Sequence, residues 1–193
     1  MPKPAYYLIN GITIYRIAVA PFLLVLIFTD RFELFKWLLA ASFFTDLIDG
    51  FLARLFKVTS IGGSRLDSIG DDLTVLAAII GLIVFEPGFL KEELPLILFL
   101  LALFVIQNAV ALIRYGKLTS FHTYIAKMAA VLQGMFLLLM FWLHDPFYPL
   151  FYAAIAVTAL DLLEEIILVA LLPKWEADVK GIYWVQKRKK QNS

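Results

Sequence analysis

Apolar residues run through this chain in long stretches, and polar residues collect in short segments between them. A helix needs about 20 mostly apolar residues to cross the hydrocarbon core of a bilayer. Six stretches meet that requirement, near residues 7–29, 33–56, 64–86, 94–114, 121–144 and 147–172. Pro87 with Gly88, Pro95, Pro146, Pro149 and Pro173 punctuate the later boundaries, where a residue without a backbone donor, or with wide backbone freedom, does least harm. The linkers are short and none suggests a second domain. The pattern predicts an all-α integral membrane protein of six transmembrane helices, with residues 1–193 forming a single membrane domain.

Composition supports the bilayer as solvent. Of 193 residues, 62% are hydrophobic and 15% aromatic, more apolar surface than one soluble domain of this size buries. The 17 basic and 16 acidic side chains leave a net charge of +1, so no overall field points to nucleic acid. Cysteine is absent, which excludes disulfides, thiolate metal sites and a thiol nucleophile, and two histidines leave little for zinc. The first 16 residues carry Asn10, Thr13 and Arg16 among their apolar positions and lack a small-residue cleavage site, unlike a cleaved secretory signal.

Charge distribution gives an orientation. With six spans both termini share a side, and basic residues concentrate on cytoplasmic segments. Placing both ends in the cytoplasm puts fourteen basic residues on or near that side and leaves Arg31, Lys36 and Lys91 outside. Trp175, Tyr183 and Trp184 are then expected at headgroup level, and the run Lys187 to Lys190 as an anchor to anionic lipid. The expected location is a membrane crossed several times, the inner or plasma membrane in a bacterium, with the site facing the cytoplasm.

Carboxylates in or near a span are costly and need partners or a cation. Four surround one loop in DLIDGFLARLFKVTSIGGSRLDSIGD, which runs from Asp46 to Asp71. On helices, Asp46 and Asp49 share one face, Asp67 and Asp71 another, and Asp72 turns away from Asp71. Two such faces brought together by a hairpin make an oxygen-rich site suited to Mg2+ or Mn2+. Gly50 and Ala53 remove bulk where a diphosphate could approach, and Arg54 offers a fork of donors to phosphate. Gly62 and Gly63 with Ser64 are read as a flexible turn whose amides face an anion.

At every fixed position these residues match DxxDGxxARx8GxxxDxxxD, eight fixed residues in 26 positions. The chain therefore resembles the CDP-alcohol phosphatidyltransferase family, and the six-span layout resembles it over nearly the whole length. The resemblance implies that Asp46, Asp49, Asp67 and Asp71 hold two divalent ions, with Asp71 also the catalytic base. It places Asp49, Gly50, Ala53, Arg54, Ser60 and Gly63 at the CDP-alcohol donor. Asn10, Thr13 and Arg16 are similar to an NxxTxxR element of phosphatidylglycerophosphate synthase-like members. Asn10 and Thr13 are candidates for contact with the donor nucleotide or an aspartate, or for helix capping and interhelical hydrogen bonding. Arg16 either pairs with the acids or snorkels to the interface. The implied reaction moves a phospho-alcohol group from a lipid-linked donor, CDP-diacylglycerol by expectation, to a small polar alcohol such as glycerol 3-phosphate, releasing CMP. The resemblance also implies a homodimer.

Acceptor candidates are Arg114, Lys117, His122, Thr123 and Lys127, with Lys127 read as lying deeper than an ordinary positive-inside residue. The stretch from Ser120 to Gln133 departs from the GKxKTxxQ-like segment associated with many phosphatidylglycerophosphate synthases, so inositol- and serine-type acceptors stay open. Asp161, Glu164 and Glu165 resemble no donor motif and are expected to pair with basic residues of neighbouring helices or to line a watery cavity. From another class, a divalent-cation transporter would use the same carboxylates, but would be expected to show related halves or interrupted helices. A noncatalytic scaffold would tolerate loss of single aspartates.

Overall fold

In a computed structural model the backbone is described for residues 3–56 and 61–191, and side-chain placement for residues 11, 14–45, 48, 70, 73–188 and 190. The described residues form seven α-helices and no strand. These are α1 (Lys3–Phe28), α2 (Phe32–Phe56), α3 (Ile61–Phe85), α4 (Pro87–Tyr115), α5 (Tyr124–Met140), α6 (Tyr148–Leu171) and α7 (Ile182–Gln191). Each of the six apolar stretches coincides with one of the first six helices; α7 lies beyond them.

Local chemistry sets the helix ends. α1 stops in a Schellman motif, with the Arg31 amide donating to the Leu26 carbonyl at 2.9 Å and the Asp30 amide to Ile27 at 3.2 Å. Asp30 takes the left-handed position at φ 55°, which a short polar side chain tolerates better than a branched one. Only Glu86 separates α3 from α4, and Pro87 occupies the first helical position, where its missing N–H costs nothing. α4 therefore begins seven residues before the expected 94, and Pro95 is a helix-interior residue, not a boundary. The Lys91 carbonyl loses its usual donor there. α4 ends at Gly116, φ 67°, whose amide reaches the Leu112 carbonyl at 2.8 Å. α5 starts at Tyr124 and stops at Met140, shorter at both ends than the 121–144 stretch.

α4 is the helix among the described residues that is long and apolar enough to cross a membrane. Leu98, Phe99, Leu101, Phe104, Val105 and Ile106 are all exposed, covering most directions around its axis. Such a helix is suited to lipid. α6 has the length, but Asp161, Glu164 and Glu165 interrupt its apolar run.

The chain divides into two compact units, residues 1–91 with 137–144 and residues 92–136 with 145–193. In the first, α1 packs on both α2 and α3, which also touch each other. The contact face of α1 runs through Arg16, Val19, Ala20, Leu23 and Ile27. At one end of this unit Phe35 packs edge-on against Phe141 at 5.1 Å and lies against Phe85 at 5.3 Å, while Phe32 makes an edge contact with Phe85 at 5.1 Å. In the second unit, Ala111, Phe121, Leu168, Val169, Leu172, Val179 and Val185 form a core that brings together α4, α6, α7 and two loops.

Candidate active site

The stripe of α2 that faces its neighbours is marked by Phe35, Leu39 and Ser42, each 0–1% exposed. The spacing is four, then three. The same alternation continued along the helix reaches positions 46, 49 and 53, so Asp46, Asp49 and Ala53 share the register of the buried stripe. On α3 the buried positions are Gly70, Thr74, Ala77, Ala78, Gly81 and Leu82. Seven residues before Thr74 and Ala78 stand Asp67 and Asp71, again on the inward register, since seven residues are nearly two full turns. Positions 46, 49, 67 and 71 thus continue the registers of the buried stripes of two contacting helices. The side chains of Asp46, Asp49, Asp67 and Asp71 lie outside the described residues, as do those of Asn10, Thr13, Ala53, Arg54 and Asp72, the surroundings of Gly50 and Gly63, and the whole of Ser60.

Among the described side chains, Arg16 of α1 lies against Gly70 of α3. It is 1% exposed, and its guanidinium carbon and Nη2 lie 3.6 Å from where a Cβ on Gly70 would stand. Gly70 directly precedes Asp71, so α1 delivers a buried cation to the acidic end of α3. The snorkelling alternative for Arg16 is overturned, because a side chain so enclosed does not reach the interface. Thr74, also buried, donates to the Gly70 carbonyl at 2.8 Å. Gly62, Gly63 and Ser64, expected as a flexible turn, belong to the first turn of α3. Helix-start amides lack intrahelical partners, so their use toward an anion survives this change of conformation.

As a donor set, four carboxylates without nitrogen or sulfur ligands fit hard divalent ions such as Mg2+ and Mn2+. Among the described residues no group of three or more histidines, cysteines or acids is placed to hold a metal; the four aspartates are not among them.

The acceptor candidates all fall in the second unit, each against a different neighbour. Arg114 Nη2 donates to the Leu172 carbonyl at 3.2 Å, at the end of α6. The Lys117 ammonium stands 5.4 Å over the Trp175 ring, and that of Lys127 5.6 Å over Tyr124. His122 Nε2 is 3.7 Å from Asp178, both exposed. Lys127 is itself exposed, in the first turn of α5.

Thr123 caps α5. Its hydroxyl accepts from the Ala126 amide at 2.9 Å and donates to Asp161 at 3.1 Å. Two participants missed in the sequence stand beside it. Gln107, 2% exposed, donates to Glu165 at 2.6 Å and to Thr119 at 2.7 Å, and the Thr119 hydroxyl donates to Glu165 at 2.8 Å. Glu164 accepts from the Ile182 amide at 3.0 Å. The expectation of basic partners for Asp161, Glu164 and Glu165 is therefore corrected: among the described residues their partners are neutral amides and hydroxyls. A polar Gln in the middle of an apolar run was the available signal for Gln107.

The profile of the CDP-alcohol phosphatidyltransferase family matches residues 6–169, from α1 to near the end of α6. The chain belongs to that family. As a CDP-alcohol phosphatidyltransferase family member it is 30% identical over 118 residues to the "Cardiolipin synthase (CMP-forming) / mitochondrial hydrolase fusion protein" of Schizosaccharomyces pombe, a match covering 60% of this chain and 19% of the relative. The chain thus spans about a fifth of that fusion protein's length. No solved structure matches.

Proposed function

We propose that this family member synthesises phospholipid by transferring a phosphatidyl group from a CDP-alcohol, CDP-diacylglycerol, to a small polar alcohol such as glycerol 3-phosphate, with release of CMP. The observation that carries the reading is the complete eight-residue signature, its four acids in register with the buried stripes of two contacting helices, α2 and α3. The CMP-forming name of the relative supports the leaving group.

Asp46, Asp49, Asp67 and Asp71 would hold two divalent ions, which when bound neutralise the donor diphosphate and make CMP a better leaving group. Asp71 takes the proton of the acceptor hydroxyl, whose oxygen attacks the phosphorus bearing the lipid alcohol. Arg54 and Ser60 supply hydrogen bonds to the donor, Gly50, Ala53 and Gly63 leave it room, and Asn10 and Thr13 approach it from α1. Arg16, buried beside Gly70, offsets the charge of the acidic stripe. All of this lies in one membrane domain of six spans with cytoplasmic ends, acting as a homodimer.

A second reading, favoured by the name of the relative, gives the site a lipid alcohol as acceptor and cardiolipin as product. One assay addresses both. Purified protein, reconstituted with CDP-diacylglycerol, Mg2+ or Mn2+ and a panel of glycerol 3-phosphate, inositol, serine and phosphatidylglycerol, is expected to release CMP with one acceptor far above the rest. Chelation of the divalent ions stops release, and Asp71→Asn lowers it by about a hundredfold or more with the fold intact. Absence of CMP release with every donor and acceptor sinks the proposal.

A further inference from the structure

The proposed chemistry makes no use of the outer face of α7. This helix packs through Val185, 3% exposed, and Ile182 onto the cluster that contains Ala111, Phe121, Leu168 and Leu172. Those residues lie where α4 ends, α5 begins and α6 ends. Two polar contacts fix the helix there: Glu164 Oε1 accepts from the Ile182 amide, and Arg188 Nη2 donates to both oxygens of Glu176 at 3.1 and 2.8 Å.

Successive residues on a helix are turned by about 100°. If position 185 looks inward, the opposite direction falls among positions 183, 187 and 190. Tyr183, Lys187 and Lys190 occupy them, and all three are exposed, Tyr183 at 65%. α7 contains no acidic residue, and among the described residues neither lysine has a carboxylate within ion-pair distance. Trp184, exposed at 43%, flanks this face, meets Tyr183 edge-on at 5.3 Å and lies tilted against Tyr124 at 5.0 Å.

We propose that the Tyr183, Lys187 and Lys190 face of α7 binds the anionic headgroups of a phospholipid bilayer. Charge selects the partner: juxtamembrane lysines are drawn to anionic lipid by about 1 kcal/mol each, within a Debye length of the surface. The exposed aromatic rings select a bilayer over a soluble polyanion, since amphipathic rings are stable at headgroup depth. Docking by Val185 and capping by Glu164 hold the basic face outward. The inference rests on the reading of the chain as membrane-embedded, but not on its catalysis.

Hydrogen exchange of the α7 amides tests it, with the full chain in nanodiscs of phosphatidylcholine alone or with about a third phosphatidic acid. The anionic lipid is expected to slow exchange by about tenfold, a difference that high salt removes. Lys187→Gln with Lys190→Gln is expected to lose the difference while matching wild type in phosphatidylcholine, because both side chains are exposed. Equal wild-type exchange in the two discs overturns the proposal. So does protection that the double variant retains, or protection produced by soluble polyglutamate and not by lipid. CMP release is measured separately, so the two proposals fail separately.

Discussion

At Gly70 an added methyl would stand 3.6 Å from the Arg16 guanidinium, an ordinary contact, whereas at Gly81 it would stand 2.9 Å from Cε1 of Phe35 and nearer still to Cζ. The two glycines therefore respond oppositely to the same change. Gly70→Ala removes backbone freedom from the unfolded chain without a clash and is expected to hold stability or raise it by up to about 1 kcal/mol. Gly81→Ala forces the Phe35 ring aside and is expected to cost about 1–3 kcal/mol, part of which Phe35→Leu restores. Thermal unfolding of the four proteins in one detergent checks the contrast. Equal melting of the two alanine variants would show that the ring is not confined by Gly81. The sequence marked Gly70 only as a position between two signature acids and gave no sign that an aromatic ring covers Gly81, because that contact joins residues 46 positions apart.

At the scale of elements, hydrophobic run length was enough to place six helices, and proline position was not enough to place their ends. Pro87 opens α4 and Pro95 sits inside it; both look like breakers in a linear reading, and only the observed backbone distinguishes a first-turn proline from an interior one. α7 was read as a basic tail because its apolar positions, Ile182 and Val185, are too few to show a period. The acidic residues of α6 were visible, but not their neutral partners, which come from α4, the segment before α5 and the start of α7. Of these, Gln107 bridges Thr119 and Glu165 while almost wholly enclosed. Gln107→Leu takes a donor from each, leaving the direct Thr119–Glu165 bond, and is expected to cost about 1 kcal/mol. Gln107→Glu is expected to cost more, since it sets a second carboxylate against the first at 2.6 Å. Thermal unfolding ranks the pair, and a melting point unchanged in either variant would remove the network from the account of how α4 and α6 are joined.

For the molecule as a whole, the absence of cysteine turns the proposed topology into a clean measurement. Single cysteines at Ser193 and at Arg31, in sealed oriented vesicles, are expected to react with an impermeant maleimide from opposite sides, Ser193→Cys from the cytoplasmic one. Labelling of both from one side would remove the six-span arrangement. The family signature was legible in full, since its residues are close in sequence and its spacing is helical; how the first unit is held in shape was not. There the Phe35 ring on Gly81 clamps α2 to α3 about 16 Å along the helix from Asp46, at 1.5 Å per residue. α2 and α3 are also joined by the short link between Phe56 and Ile61, so the clamp sets their inclination and not whether they meet. A change of about 5° in that inclination, carried over about 16 Å, shifts position 46 by roughly 1 Å, and on the proposed function misplacement of that order at a reacting centre lowers rate about a hundredfold. On the proposed function, turnover is thus expected to respond to a contact that touches no substrate.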